Sequence, residues 1–229
     1  MKNINTKELT KGILIICSYL ILSFILQIPF IFLPEKYIYL FTYLSLTIIY
    51  ILYNKNDLLK DLKDFKKNWK SILKTTIFFW LIGLLIMITS SFIINKLNIP
   101  ENTVNQKNNI RLLRNMPIIA CMIMILLAPT IEELVFRKGL INFTKNKHLF
   151  AISSGLIFAL LHLVSSFQSI NDIIMIIHLI PYSAVGIAFG YAYFKTKNIY
   201  GTMIIHSIHN LLSIIEIIVL GGIISQKKK

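Results

Sequence analysis

Residues 116–143 read MPIIACMIMILLAPTIEELVFRKGLINF. A helix crosses a bilayer with roughly 20 mostly apolar residues. This run is long enough, yet it carries two adjacent carboxylates, Glu132 and Glu133, and a guanidinium at Arg137. Working outward, similar apolar runs lie at about 12–33, 37–53, 72–95, 149–166, 171–194 and 199–220. The chain of 229 residues is 55% hydrophobic and 15% charged, against roughly 45–50% and 25% for a soluble domain. Mean hydropathy is +0.69. These values exclude an ordinary soluble enzyme, a disordered chain and a disulfide-stapled secreted domain. They predict an all-α, polytopic transmembrane helix bundle of about seven spans, or eight if a further or re-entrant segment is present.

The net charge of +14 belongs, in so apolar a chain, to loops facing an anionic membrane surface. Membrane lipids are thus the expected partners, and nucleic acid is not. Residues 1–11 carry Lys2, Lys7 and Lys11 ahead of about 22 apolar residues, longer than the roughly 7–15 of a signal peptide; the run reads as a retained span. With the N-terminus inside, fifteen cations fall on the inner side and eight on the outer, so the positive-inside rule favours that orientation. The lysines at 227–229 oppose it. Cys17 and Cys121 both lie in apolar runs without ligand spacing and read as small buried hydrophobes.

Three regions follow. Residues 1–115 hold the N-terminal spans and an amphipathic segment at 55–70, where Leu58, Leu59, Leu62, Phe65 and Trp69 recur at helical spacing among lysines. That pattern predicts a short helix lying in the membrane interface; a plain basic loop is the alternative. Residues 96–115 are polar and Asn-rich with no motif. Residues 116–220 form the helix bundle that carries the chemistry, and 221–229 a basic tail.

A charged group at the centre of a membrane helix costs at least about 2.5–3.5 kcal/mol, so intramembrane polar residues mark function by default. Glu133 and Arg137 are four apart and share a helix face. Glu132 is rotated about 100° away and lacks that partner. Thr130-Ile131-Glu132-Glu133 also reads as a capping box after Pro129, with Thr130 as N-cap. In that reading Pro129 breaks the helix, Glu133 and Arg137 brace its restart, and Glu132 is left for chemistry.

Phe158 and His162 share a face of the next span, and His206 and Asn210 a face of the last. Glu132 and His162 each lie 15 residues from Lys147, where the first hairpin turns, hence ~22 Å deep. His206 and Asn210 lie ~14–20 Å beyond the turn at Lys197. All four can meet near mid-bilayer. His209 stands one turn from His206 and can support it. His178 fits the cluster poorly. One unpaired carboxylate, two imidazoles and a carboxamide suit hydrolysis: a base for water and donors for an oxyanion. The same groups could hold a divalent metal. There is no H-E-x-x-H and no G-x-S-x-G.

Glu132-Glu133-Leu134-Val135-Phe136-Arg137 matches EExxxR, Phe158–His162 matches FxxxH, and His206–Asn210 matches HxxxN. In this order, on successive spans, they resemble the signatures of the CPBP family of intramembrane proteases, which includes CAAX prenyl endopeptidases and bacterial Abi proteins. The resemblance covers about residues 116–215. It implies an intramembrane endopeptidase with Glu132 as general base on water, assisted by His162. His206 and Asn210 would form the oxyanion hole, with Glu133, Arg137, Phe158 and His209 in support. No cofactor is required by these residues; zinc is compatible, held by Glu132, His162 and His206. Tyr200 stands where relatives often carry Trp. The Lys-, Ile- and Asn-rich composition suggests a bacterial cytoplasmic-membrane protein acting on a peptide or small membrane-protein substrate. The alternative is a non-proteolytic peptide-binding or bacteriocin-immunity membrane protein; a transporter would show repeats. The oligomeric state is not encoded in any feature of the sequence.

Overall fold

The computed structural model describes residues 4–99, 104–164 and 176–226. Among these, the chain forms eight helices: α1 (Thr6–Ile25), α2 (Glu35–Tyr53), α3 (Lys55–Lys96), α4 (Val104–Asn115), α5 (Pro117–Lys138), α6 (Lys147–Leu163), α7 (Leu179–Thr196) and α8 (Ile199–Gln226). A 3₁₀ turn at Ile28–Phe30 follows α1. Five helices are long and apolar enough to cross a membrane: the first with its 3₁₀ extension, α3, α5, α7 and α8. The apolar helices at Tyr37–Tyr53 and Lys147–Leu163 are shorter. The fold is therefore an all-α polytopic bundle of integral-membrane character, with five helices of spanning length among the described residues where the sequence predicts about seven spans. Exposed apolar side chains such as Phe78, Leu81, Leu85 and Phe92 of α3 are consistent with lipid contact. The expected ends of two spans, at 165–166 and 171–175, and the last three lysines of the basic tail lie outside the described residues.

The amphipathic segment 55–70 is not a separate interfacial helix. It is continuous with the span after it in the 42-residue α3. The reason is local: no proline or glycine stands between Lys55 and Ile82, and Ser71 at the junction lies within the helix without capping a new one, so the hydrogen-bond ladder has no cause to stop. The Asn-rich stretch is also partly helical, in α4.

Helix pairing follows from small residues. Gly155 of α6 lies against Gly186 of α7, where a Cβ on Gly155 would meet the Ile187 backbone nitrogen at 2.5 Å. Four residues earlier, Ala151 meets Gly190, so the two helices run antiparallel. Without side chains between them the backbones approach closely, as small residues permit in membrane bundles. Gly83 of α3 packs on Ala184 and Ala188 of α7, and Gly201 of α8 on Ile72 and Thr76 of α3. The turns between neighbours are chemically defined. Asn146 caps α6, accepting from the N–H groups of His148 and Leu149 at 2.9 and 3.2 Å. Lys197 ends α7 in the left-handed region at φ 53°, its N–H reaching the Tyr193 carbonyl at 2.8 Å. The largest buried cluster joins Ile131, Leu134, Val135 and Phe136 of α5 to Leu46 and Tyr50 of α2 and Phe150 of α6.

Candidate active site

Helix α5 departs from α-helical spacing twice. Residues Met122–Leu127 and Glu133–Lys138 are π-helical, on either side of an α-helical segment from Ala128 to Glu132. The Ala128 N–H reaches the Ile123 carbonyl and the Gly139 N–H the Leu134 carbonyl, both five residues back. Such π segments are rare and occur often at functional sites. The expected capping box is not formed. The Thr130 hydroxyl donates to the Leu126 carbonyl at 2.7 Å, and the Glu133 N–H bonds to carbonyls of Pro129 and Thr130. The helix therefore passes through Pro129 instead of restarting after it, because the residues around Pro129 keep helical dihedrals and the wider turns absorb its missing donor.

The two carboxylates part company in their surroundings. Glu133 is fully buried and faces Arg137, equally buried, with 3.5 Å between Oε2 and Nε. Arg137 Nη1 lies 3.4 Å from the Ser154 hydroxyl, and its guanidinium sits over the Phe158 ring at 5.4 Å. Glu132 faces two imidazoles instead. Its Oε1 is 3.7 Å from His162 Nε2 and its Oε2 3.5 Å from His206 Nε2.

The other ring nitrogens settle the direction of these contacts. His162 Nδ1 lies 2.8 Å from the Phe158 carbonyl, and His206 Nδ1 3.0 Å from Glu133 Oε1. A carbonyl and a carboxylate only accept, so both Nδ1 atoms carry hydrogen. In the neutral rings, both Nε2 lone pairs then converge on the Glu132 carboxylate. Three acceptors facing one another call for a hydrogen or a cation among them.

Phe158 walls this centre. Its ring stacks on His162 at 4.2 Å and meets Phe136 and His206 edge-on at 5.6 and 6.0 Å. Phe189 covers His206 at 5.2 Å, and Tyr182 stands 6.1 Å from His162. Neither was singled out in the sequence, where aromatic residues in an apolar span carry no distinguishing signal. Glu132 and His206 are buried, whereas 20% of the His162 side chain is exposed. The centre therefore opens on the His162 side.

The structure thus brings Glu132, Glu133, Arg137, Phe158, His162 and His206 together. Two expected members point elsewhere. His209 turns to α3, where the Trp80 indole N–H reaches its Nδ1 at 3.4 Å. The Asn210 carboxamide donates to the Met124 carbonyl at 2.8 Å. His178 is buried at the head of α7. Carboxylate and imidazole donors with outer partners on both Nδ1 atoms are the chemistry of a zinc ligand set. Among the described residues, however, no group of three or more His, Cys, Asp or Glu is arranged to hold a metal ion.

No curated protein and no solved structure matches the chain. Residues 114–212 do match the family model described as Type II CAAX prenyl endopeptidase Rce1-like. That segment runs from the end of α4 into α8 and contains every residue gathered around Glu132. Its match and its buried Glu/His centre agree, and residues 114–212 constitute a domain of the CAAX-protease superfamily, of Rce1-like type.

Proposed function

We propose that the chain is an intramembrane endopeptidase of the CPBP type, hydrolysing peptide bonds of membrane-associated peptides or small membrane proteins. The observation that carries this reading is the convergence of two imidazole Nε2 atoms on the Glu132 carboxylate, with both Nδ1 atoms already committed. A water placed among these acceptors donates its hydrogens to them and turns its oxygen lone pair outward. Glu132 takes a proton as that oxygen bonds to the scissile carbonyl carbon, and His162 shares the proton. The second N–H of Asn210 donates to the resulting oxyanion, and His206 joins it in its protonated form, in which Nε2 also carries hydrogen while Nδ1–H stays on Glu133. The proton passes to the departing nitrogen as the C–N bond breaks.

Glu133 and Arg137 fix His206 by orienting its Nδ1–H. Phe158 excludes bulk water and strengthens each polar contact. A divalent ion, if the active form carries one, would be held by Glu132, His162 and His206 and would make its bound water more acidic. Substrates are peptides short or apolar enough to reach a centre among membrane helices; bacterial peptide pheromones and bacteriocin precursors have that chemistry.

The test is cleavage of a fluorogenic peptide library by the purified protein in detergent, for wild type, Glu132→Ala and His162→Ala, each with and without chelator. Wild type should cleave and both variants should not. Retained activity in both variants would overturn the proposal. Cleavage unaffected by chelator would assign the reaction to the carboxylate alone, and restoration by zinc after chelation would assign it to a metal.

A further inference from the structure

We infer that Asn210 takes the place of a backbone hydrogen bond that Pro129 cannot make, and that this bond sets the rotational position of Glu132 on α5. The first π-helical segment closes with a bond five residues back, from the Ala128 N–H to the Ile123 carbonyl. The next donor in that register is residue 129, and its acceptor is the carbonyl of Met124. Residue 129 is proline and has no N–H. The Met124 carbonyl is therefore left without its backbone partner in a helix interior, where an unsatisfied polar group is costly. The Asn210 Nδ2 reaches that carbonyl at 2.8 Å, within ordinary hydrogen-bond distance.

The placement has mechanical consequences. Met124 packs in one apolar cluster with Ala120 and Ile214, so α5 and α8 touch along this stretch. Asn210 and His206 lie one turn apart on α8, and Met124 and Glu132 about two turns apart on α5. The Asn210–Met124 bond and the His206–Glu133 bond therefore tie the same two helices at two heights. Two ties fix both the axial register and the rotation of α5 against α8. One tie alone leaves α5 free to slide back from π to α spacing, which would turn Glu132 away from His162 and His206. Asn210 is in this sense a positioning residue. An amide has two N–H groups; one is spent on Met124, and only the other is left for the oxyanion of the proposed reaction. The tie itself does not depend on the protease reading; its bearing on cleavage does.

Pro129→Ala restores a backbone donor. The new N–H can reach Met124 in π spacing, and in α spacing Ala128 reaches it instead. Either way Asn210 becomes dispensable to the helix. The experiment is thermal unfolding in detergent of wild type, Asn210→Ala, Pro129→Ala and the double variant. Asn210→Ala should lower Tm by roughly 2–4 °C in a chain of this size and should lower it by less than half as much in the Pro129→Ala background. Equal losses in the two backgrounds would overturn the inference. Should Pro129→Ala fail to accumulate, the isosteric Asn210→Asp decides, because it sets an acceptor against the Met124 carbonyl: a fall in Tm is expected, and an unchanged Tm would refute the bond. On cleavage, Pro129→Ala keeps the Asn210 amide but supplies Met124 with a backbone donor and so loosens the tie; it should lower kcat with KM unchanged. A Pro129→Ala variant with wild-type kcat, beside an inactive Asn210→Ala, would assign that residue to the oxyanion and overturn its positioning role. If wild type cleaves no peptide, the protease reading fails while the unfolding comparison still decides the tie.

Discussion

Glu132 and Glu133 are neighbours in the chain but answer to different physics. Glu133 and Arg137 are both inaccessible, and Glu133 also holds His206. Removing one partner of a buried ion pair costs about 3–5 kcal/mol because the other charge is stranded. Arg137→Ala should therefore lower Tm by roughly 10 °C or more, measured by thermal unfolding in detergent. Glu132→Gln keeps volume and shape and removes only the base of the proposed reaction. It should leave Tm within a degree or two while reducing cleavage by at least about a thousandfold, the scale expected when a general base is lost. A Glu132→Gln protein that unfolds as readily as Arg137→Ala would place Glu132 among the structural residues. The division between the two carboxylates was legible beforehand, because only Glu133 has a cation four residues on. What could not be read was that His206 would bind both, since that depends on how far α8 is turned.

The same limit shows in α5 as an element. Its length and apolar run are plain in the sequence, but its two π-helical segments are not: they shift hydrogen bonds by one residue without any compositional mark except Pro129. The capping-box pattern at Thr130 misled for the same reason, since the neighbours of Pro129 hold helical dihedrals and Thr130 bonds backward to Leu126. The hairpin depths, by contrast, depend only on residue counts from the turns, and Glu132 does meet His162 across α5 and α6. That meeting relies on the close approach of α6 to α7. A methyl group at Gly155 would strike the Ile187 nitrogen at 2.5 Å and the Gly186 carbonyl carbon at 2.9 Å. Both are backbone atoms that cannot rotate away. Gly155→Ala should push α6 outward, carry His162 from Glu132, and lower both Tm and cleavage. Ile152→Ala, on the exposed side of the same helix, is the control and should change Tm little. Equal behaviour of the two variants in unfolding and cleavage assays would show that the α6–α7 contact is slack.

At the scale of the whole molecule, the domain match ends at residues 114 and 212, yet the site is held from beyond those limits. The Asp61 carboxylate of α3 accepts from Lys138 Nζ at 2.8 Å and from the Ile199 N–H at 3.4 Å. It thereby joins the end of α5 to the start of α8. Asn198, fully buried, donates to the Asp61 carbonyl at 2.7 Å and to Asp64 at 2.8 Å. Further along α3, Trp80 meets His209 and Gly83 receives α7. Residues 114–212 by themselves would leave Asn198 without these partners and open the small-residue face of α7 to lipid, where it has no packing partner. We therefore expect residues 104–229 expressed alone to be proteolysed in membranes. Co-expression of residues 1–99 as a separate chain should restore a protease-resistant complex, because these contacts are non-covalent and do not depend on chain continuity. Asp61→Ala in the smaller chain should weaken that rescue, since it frees both Lys138 and the first turn of α8. The measurement is the amount of each chain surviving limited proteolysis and co-purifying through a tag on the other. A stable 104–229 fragment that behaves identically with and without residues 1–99 would show that α3 is a neighbour of the site and not a support for it.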